Sequence, residues 1–175
     1  MAREARARSR RPLDQALFRR AMGTFVTGVT VVSVEDGERV HGMTANAFMS
    51  ASLDPPLCLV SVGKRAHTHA LIAAAHRFGV TVLAEHQLDA ARHFAGLRAD
   101  ALEFPFDTLA GAPVLAGGVA RVAAILRASH DCGDHSLFVG EVVEVAIGEH
   151  RPLVYHRGAF RIFAEQASTP APEFW

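Results

Sequence analysis

The chain has 175 residues, enough for one domain with a buried core. Hydrophobic residues make up 50% and charged residues 21%, and 18 Lys+Arg balance 18 Asp+Glu, so the formal net charge is zero with His neutral. That balance excludes a global basic field for nucleic acid or an anionic membrane, and no apolar run approaches the roughly 18 residues of a membrane span.

Positive charge gathers at the start, where "MAREARARSRR" sets Arg3, Arg6, Arg8, Arg10 and Arg11 against Glu4. Residues 1–11 read as a solvated tail, with a nucleic-acid arm as the alternative. The stretch lacks the apolar h-region of a secretory signal. Cys58 and Cys132 make neither a CxxC motif nor a disulfide framework, the pattern of a reduced, cytoplasmic protein.

Residues 12–23 read as a helix, with Leu13, Leu17, Phe18, Ala21 and Met22 on one face, Arg19 and Arg20 near its end and Gly23 as the stop. "TFVTGVTVVSV", the turn "EDGE" and "RVHGMTANAF" predict a β-hairpin, and "LCLVSVG" predicts a short apolar strand after Pro55-Pro56. "HTHALIAAAHRF" predicts a helix, "FGVTVLAE" a strand and "HQLDAARHFAG" a short helix closed by Gly96. Residues 97–113 carry Pro105, Pro113 and little periodicity, which predicts a long loop or lid. Two strands follow around the "DCGDH" corner, "PLVYHRGAFRIF" gives a last strand, and a Pro- and Ala-rich tail covers residues 166–175. Strands outnumber helices and no βαβ rhythm is sustained. The expected architecture is therefore a mainly β fold, an antiparallel barrel with a few helices, forming one domain over residues 12–165.

The chain holds no Gly-rich dinucleotide fingerprint, no P-loop and no G-x-S-x-G elbow. His67 and His69 fall at a helix start, where positions i and i+2 diverge, while His130 and His135 straddle a turn; both pairs read as structural or ligand-contacting histidines rather than metal ligands. Lys64, the one lysine of the chain, lies between a strand and a helix N-terminus. It is either an anion site or an exposed loop cation. In "GMTANAFMSASLDPPL", the small polar residues Thr44, Asn46, Ser50 and Ser52 interrupt a stretch with almost no charge, which suits the close approach of a large, polar-edged ligand.

"FRRAMGTFVTGVTVVSV", "HGMTANAFMSASLDPPLCLVSV", "FGVTVLAEHQ", "HFAG", "GDHSLFVGEV" and "PLVYHRGAFRIF", in that order over about Leu13 to Phe163, resemble the flavin reductase family. These are the FMN-binding split-barrel enzymes that supply two-component monooxygenases. The resemblance implies a homodimer of Greek-key-like split barrels that uses NADH or NADPH to reduce FMN or FAD for a separate monooxygenase. It implies that Thr44, Ala45, Asn46, Ala47, Ser50, Ala51, Ser52 and Leu53 follow the flavin, with Thr30 behind them. Lys64, Arg65 and Thr68 would hold its phosphate end, with Arg92 and Phe94 near the phosphate or adenylate. Gly133, Asp134 and His135 would face the nicotinamide with Tyr155 and Arg157, His135 serving as the catalytic positioning or electrostatic group. The family motif T-A-N-S has Ala47 here in its fourth place, so a backbone group or Ser50 must replace one hydroxyl. Two other readings are a flavoprotein that holds FMN tightly and reduces another acceptor, and a flavin carrier without nicotinamide chemistry. Hydride transfer from nicotinamide to flavin requires no side-chain nucleophile or general base, because the cofactors carry the chemistry.

Overall fold

The computed structural model describes residues 12–97 and 102–163, so both predicted tails lie outside the described residues. Asp14 caps the first helix, α1 (Gln15–Met22), by accepting from the Ala16 N–H at 2.8 Å. The strands β1 (Thr27–Gly28), β2 (Thr30–Asp36), β3 (Arg39–Ala45), β4 (Phe48–Leu53) and β5 (Pro56–Gly63) follow, then α2 (His67–Ala75) and β6 (Arg77–Val82). A 3-10 turn at Glu85–Gln87 leads into α3 (Leu88–Phe94). The remainder is β7 (Phe106–Leu109), β8 (Ala112–Leu115), β9 (Ala120–Cys132), β10 (His135–Ile147), β11 (Leu153–His156) and β12 (Ala159–Ile162).

Seven strands form one sheet in the order β3-β2-β6-β9-β10-β5-β4, and every pairing in it is antiparallel. Its two edge strands, β3 and β4, are consecutive in the chain and joined only by Asn46 and Ala47. A connection that short spans only about 10 Å, so the sheet must curl until its edges meet. The result is a barrel whose seam is a chain turn rather than a hydrogen-bonded ladder. The mainly β split-barrel expectation therefore holds.

Val32, Val34, Val60, Val62, Phe78, Val80 and Phe138 fill the barrel. A Cβ at Gly140 would lie 2.6 Å from the Phe78 ring, so the glycine is what admits the ring. Val31 of β2 and Val29 just before the strand pack on the other side against Leu83, Ala90, Ala91, Leu115 and Leu153. With both faces covered, β2 from Thr30 to Val34 is an unbroken run of buried residues rather than an alternating one, and only Glu35 and Asp36 at its end are exposed.

Three segments differ from expectation. Part of the predicted loop 97–113 is the β7–β8 hairpin, which lies on the barrel wall. Ser33 Oγ donates to the Pro113 carbonyl at 2.6 Å, and the Leu115 N–H donates to Thr81 Oγ1 at 2.9 Å. A Cβ at Gly79 would stand 1.9 Å from the Pro113 oxygen, so β6 admits β8 only because it has glycine there. The last predicted strand is a hairpin, turning at Arg157 and Gly158, both at positive φ. "MSASL" adds the strand β4, which reverses into β5 through a cis Asp54-Pro55 bond. The helices are also shorter than expected: α1 stops before Gly23 as predicted but starts only at Gln15, and α2 stops at Ala75, where left-handed His76 hands the chain to β6.

Candidate active site

At the barrel seam, Asn46 and Ala47 are exposed, and the Ala47 carbonyl accepts from the Ser61 N–H at 3.0 Å. Thr30 Oγ1 donates to the Ala45 carbonyl at 2.7 Å, and Thr44 Oγ1 donates to the Ala91 carbonyl at 2.8 Å. Both hydroxyls are thus committed to holding the seam, and Thr30 is only 3% exposed. Both side chains position backbone around the seam. Ser50, Ala51 and Leu53 are exposed on edge strand β4, with Ser52 half-buried and a bulge between Ser50 and Ser52. Bulges re-aim side chains at strand edges. The seam is small, uncharged and rich in amide groups.

Beyond the seam, β5 leads to a cationic loop. The Lys64 N–H donates to the Asp134 carbonyl at 3.0 Å, tying this loop to the β9–β10 turn. Lys64 Nζ lies 3.2 Å from Asp131 Oδ1, so the lysine is an exposed cation already paired with a carboxylate. Arg65 is exposed beside it, while Thr68 is buried in the first turn of α2. Across the β5–β10 ladder, Gly63 faces His135. The His135 imidazole donates from Nδ1 to Asp134 Oδ1 at 2.8 Å. That bond, reinforced by the imidazole's charge, holds the exposed Asp134 carboxyl below its usual range. With Nδ1 engaged, Nε2 is the ring atom turned toward the space over Gly63. Gly133, at φ +65°, makes the turn that sets this pair.

On the far side, Asn46, Tyr155, Arg157 and Gly158 line a groove of about 990 Å³ whose other wall is α1 and the residues that follow it, including Phe18, Met22 and Phe25. The Arg157 N–H donates to the Gly23 carbonyl at 2.7 Å and locks the β11–β12 hairpin to the end of α1. None of α1 is buried, and Phe25 is 74% exposed. Phe94 sits against β3, where a Cβ at Gly42 would come within 2.7 Å of its ring, and Arg92 is exposed with Asp89 at 3.9 Å. The structure thus joins Asn46 to Tyr155 and Arg157, and Lys64 to Asp134 and His135. Arg92 and Phe94 belong to α3, which reaches the seam through the Thr44–Ala91 bond and the Phe94 contact with Gly42.

His67 and His69 point apart, as a helix start requires. His67 donates to Asp36 at 3.2 Å and packs on His41, while His69 meets Ser136 and Phe138. Burial, and then the neighbouring His67, push the His41 imidazole below its ordinary value. His130 lies opposite Leu137 rather than beside His135. Among the described residues, no three His, Cys, Asp or Glu side chains converge as metal ligands. Sequence reasoning missed two features. It set Leu13, Leu17, Phe18, Ala21 and Met22 on one face of the first predicted helix without saying what that face meets, because a buried face and an exposed one share the pattern. It also passed over Asp131 as the partner of Lys64, a contact between residues far apart in sequence.

The site's chemistry suits a flavin. A ring system needs close, uncharged packing with backbone donors and acceptors at its edge, which the seam provides, and its phosphate needs cations, which the Lys64-Arg65 loop provides. A split β-barrel with such a seam defines a flavin-binding class of fold. The flavin reductase like domain model matches residues 22–164, and the chain belongs to that family. It is 42% identical over 147 residues to the NADH-dependent flavin reductase of a Rhodococcus species, covering 82% of this chain and 84% of that one. The reductase component of 4-hydroxyphenylacetate 3-monooxygenase from Thermus thermophilus is 39% identical, covering 82% and 93%. Among solved structures, the Streptomyces globisporus NADH:FAD oxidoreductase in complex with NAD and FAD fragments superposes with a TM-score of 0.81 at 40% identity, covering 89% and 96%.

Proposed function

We propose that this chain is an NADH:flavin oxidoreductase that reduces FMN or FAD and passes the reduced flavin to a separate monooxygenase, working as a homodimer in the cytoplasm. NADPH is the alternative donor; the names of the relatives favour NADH. The observation that carries the reading is the uncharged seam at Asn46–Ala47 with a cationic loop on one side and the Asp134–His135 pair beyond it. A reduced-flavin reaction is further supported by the reductase-component name of the Thermus relative.

The flavin, when bound, supplies the electron acceptor, taking a hydride from the nicotinamide at its N5. The chain's own residues bind and orient. Backbone groups of Ala45, Asn46 and Ala47, with Ser50 to Leu53, meet the ring, and Thr30 and Thr44 hold that backbone in place. Lys64, Arg65 and the N-terminal turn of α2 at Thr68 face the phosphate, with Arg92 and Phe94 toward its far end. Gly133 and Asp134 set His135 so that Nε2, the lone-pair side of a ring whose Nδ1 donates to Asp134, would meet the positive charge that develops on a nicotinamide as it gives up hydride. Tyr155 and Arg157 close the nicotinamide side. The homodimer rests on the uncovered apolar face of α1, since contiguous exposed apolar surface of this kind marks an interface. The whole unit is the domain 12–165.

The test is an anaerobic absorbance assay at 340 nm pairing NADH or NADPH with FMN or FAD. Catalytic loss of pyridine nucleotide with excess flavin is the expected result, and the four combinations name both cofactors. Flavin spectra that shift on binding without turnover would replace this reading with a carrier. Yellow colour that survives gel filtration would replace it with a tightly held flavin.

A further inference from the structure

The Lys64 loop and the His135 corner belong to different parts of the chain, yet both are anchored through one half-buried imidazole. His69 Nε2 lies 2.9 Å from Ser136 Oγ, and its ring packs edge-on against Phe138 with centroids 5.0 Å apart. Ser136 is 2% exposed and Phe138 is fully buried. Strand residues alternate faces, so Ser136 and Phe138 look into the barrel while His135, between Asp134 and Ser136, looks out to the site. On its own side, His69 stands in the first turn of α2, next to buried Thr68. Its N–H donates to the Ala66 carbonyl, whose own N–H donates to the Gly63 carbonyl. The Lys64 N–H to Asp134 carbonyl bond is the second tie between the same two segments.

We propose that His69 is a positioning residue that couples the two ends of the site, holding the phosphate-side helix and the His135 strand in register through Ser136. The inference rests on the flavin reductase reading. The serine hydroxyl is buried where solvent cannot replace a lost partner, so the side chain opposite it decides whether strand and helix keep their separation. A residue acting only at the phosphate end would change flavin affinity alone, and one acting only at the nicotinamide end would change turnover alone. His69 touches the supports of both.

The test compares the wild type, His69→Ala, His69→Gln, Ser136→Ala and the double variant His69→Ala with Ser136→Ala. The readouts are flavin Kd by fluorescence quenching, single-turnover hydride transfer with NADH, and thermal stability. Expected for His69→Ala is about a tenfold loss in both flavin affinity and hydride-transfer rate, since small misplacements cost rate steeply. His69→Gln, whose amide can reach the hydroxyl, restores most of both, and the double variant is no worse than the worse single variant. Wild-type Kd and rate in a folded His69→Ala protein would overturn the proposal, as would a loss that His69→Gln fails to rescue. If His69→Ala does not fold, Ser136→Ala carries the test: unchanged Kd and rate there overturn it equally. A wild type without NADH-driven flavin turnover would instead sink the parent reading, a result no variant can mimic.

Discussion

The two ends of the candidate site are built differently. At the Lys64–His135 end, polar contacts within one chain fix every element: Lys64 to Asp131 and Asp134, His135 to Asp134, His69 to Ser136. At the Asn46–Arg157 end, a single backbone bond among the described residues, from Arg157 to Gly23, crosses to the end of α1, and the groove's other wall is apolar side chain left open to solvent. One end is preorganised by the fold. The other is half an enclosure, and the difference teaches that a second copy of the chain must contribute to that half if the proposed dimer is right.

The largest effect is expected from breaking the open end. Replacing Phe18 and Met22 together by Glu should convert the dimer to monomer in light scattering and lower flavin-dependent NADH oxidation about a hundredfold. A dimer that persists with full turnover would assign the groove to another use. At the preorganised end, His135→Ala should slow hydride transfer about tenfold or more while flavin Kd changes by less than about twofold. Parallel losses in both would show that the corner supports the flavin as well. Lys64→Glu places a third acid beside Asp131 and Asp134 and should weaken flavin binding about tenfold at low salt. The gap should shrink at about 1 M salt, where the Debye length falls to about 3 Å. An equal deficit at both salt concentrations would return the lysine to the role of a loop cation.

The smallest effect concerns stability against pH beneath the same loop. His41 has its folded pKa depressed by burial and by His67, so the unfolded chain binds the extra proton first. Stability is therefore fully present above the ordinary value of 6.5 and falls as pH drops below it. Thermal melts should show a lower Tm at pH 5 than at pH 7, and His41→Gln should narrow that difference by a small fraction. Identical pH dependence in the variant would show that Asp36, which opposes the shift, cancels it.

Much of the fold was legible because side-chain period reports burial. The β-branched runs of β2, β5 and β6 and the turn at Glu35–Glu38 required no tertiary knowledge. The β7–β8 hairpin escaped because it is held by Ser33 and Thr81 side chains and by the room at Gly79, none of which leaves a periodic trace in its own residues. For the site, residue types told which groups suit a flavin. They did not tell that Thr30 and Thr44 have their hydroxyls engaged elsewhere, or that Lys64 faces Asp131.

The sequence by itself determined most strands of the large sheet, the antiparallel class and the residue types of the seam, which follow from local pattern, and its ordered motifs carried the resemblance to the family. Only the tertiary structure decided that β3 and β4 meet at Asn46–Ala47, that α1 turns its apolar face outward, and that His69 reaches Ser136. Those depend on which distant segments share space, and no local preference encodes a contact 67 residues away.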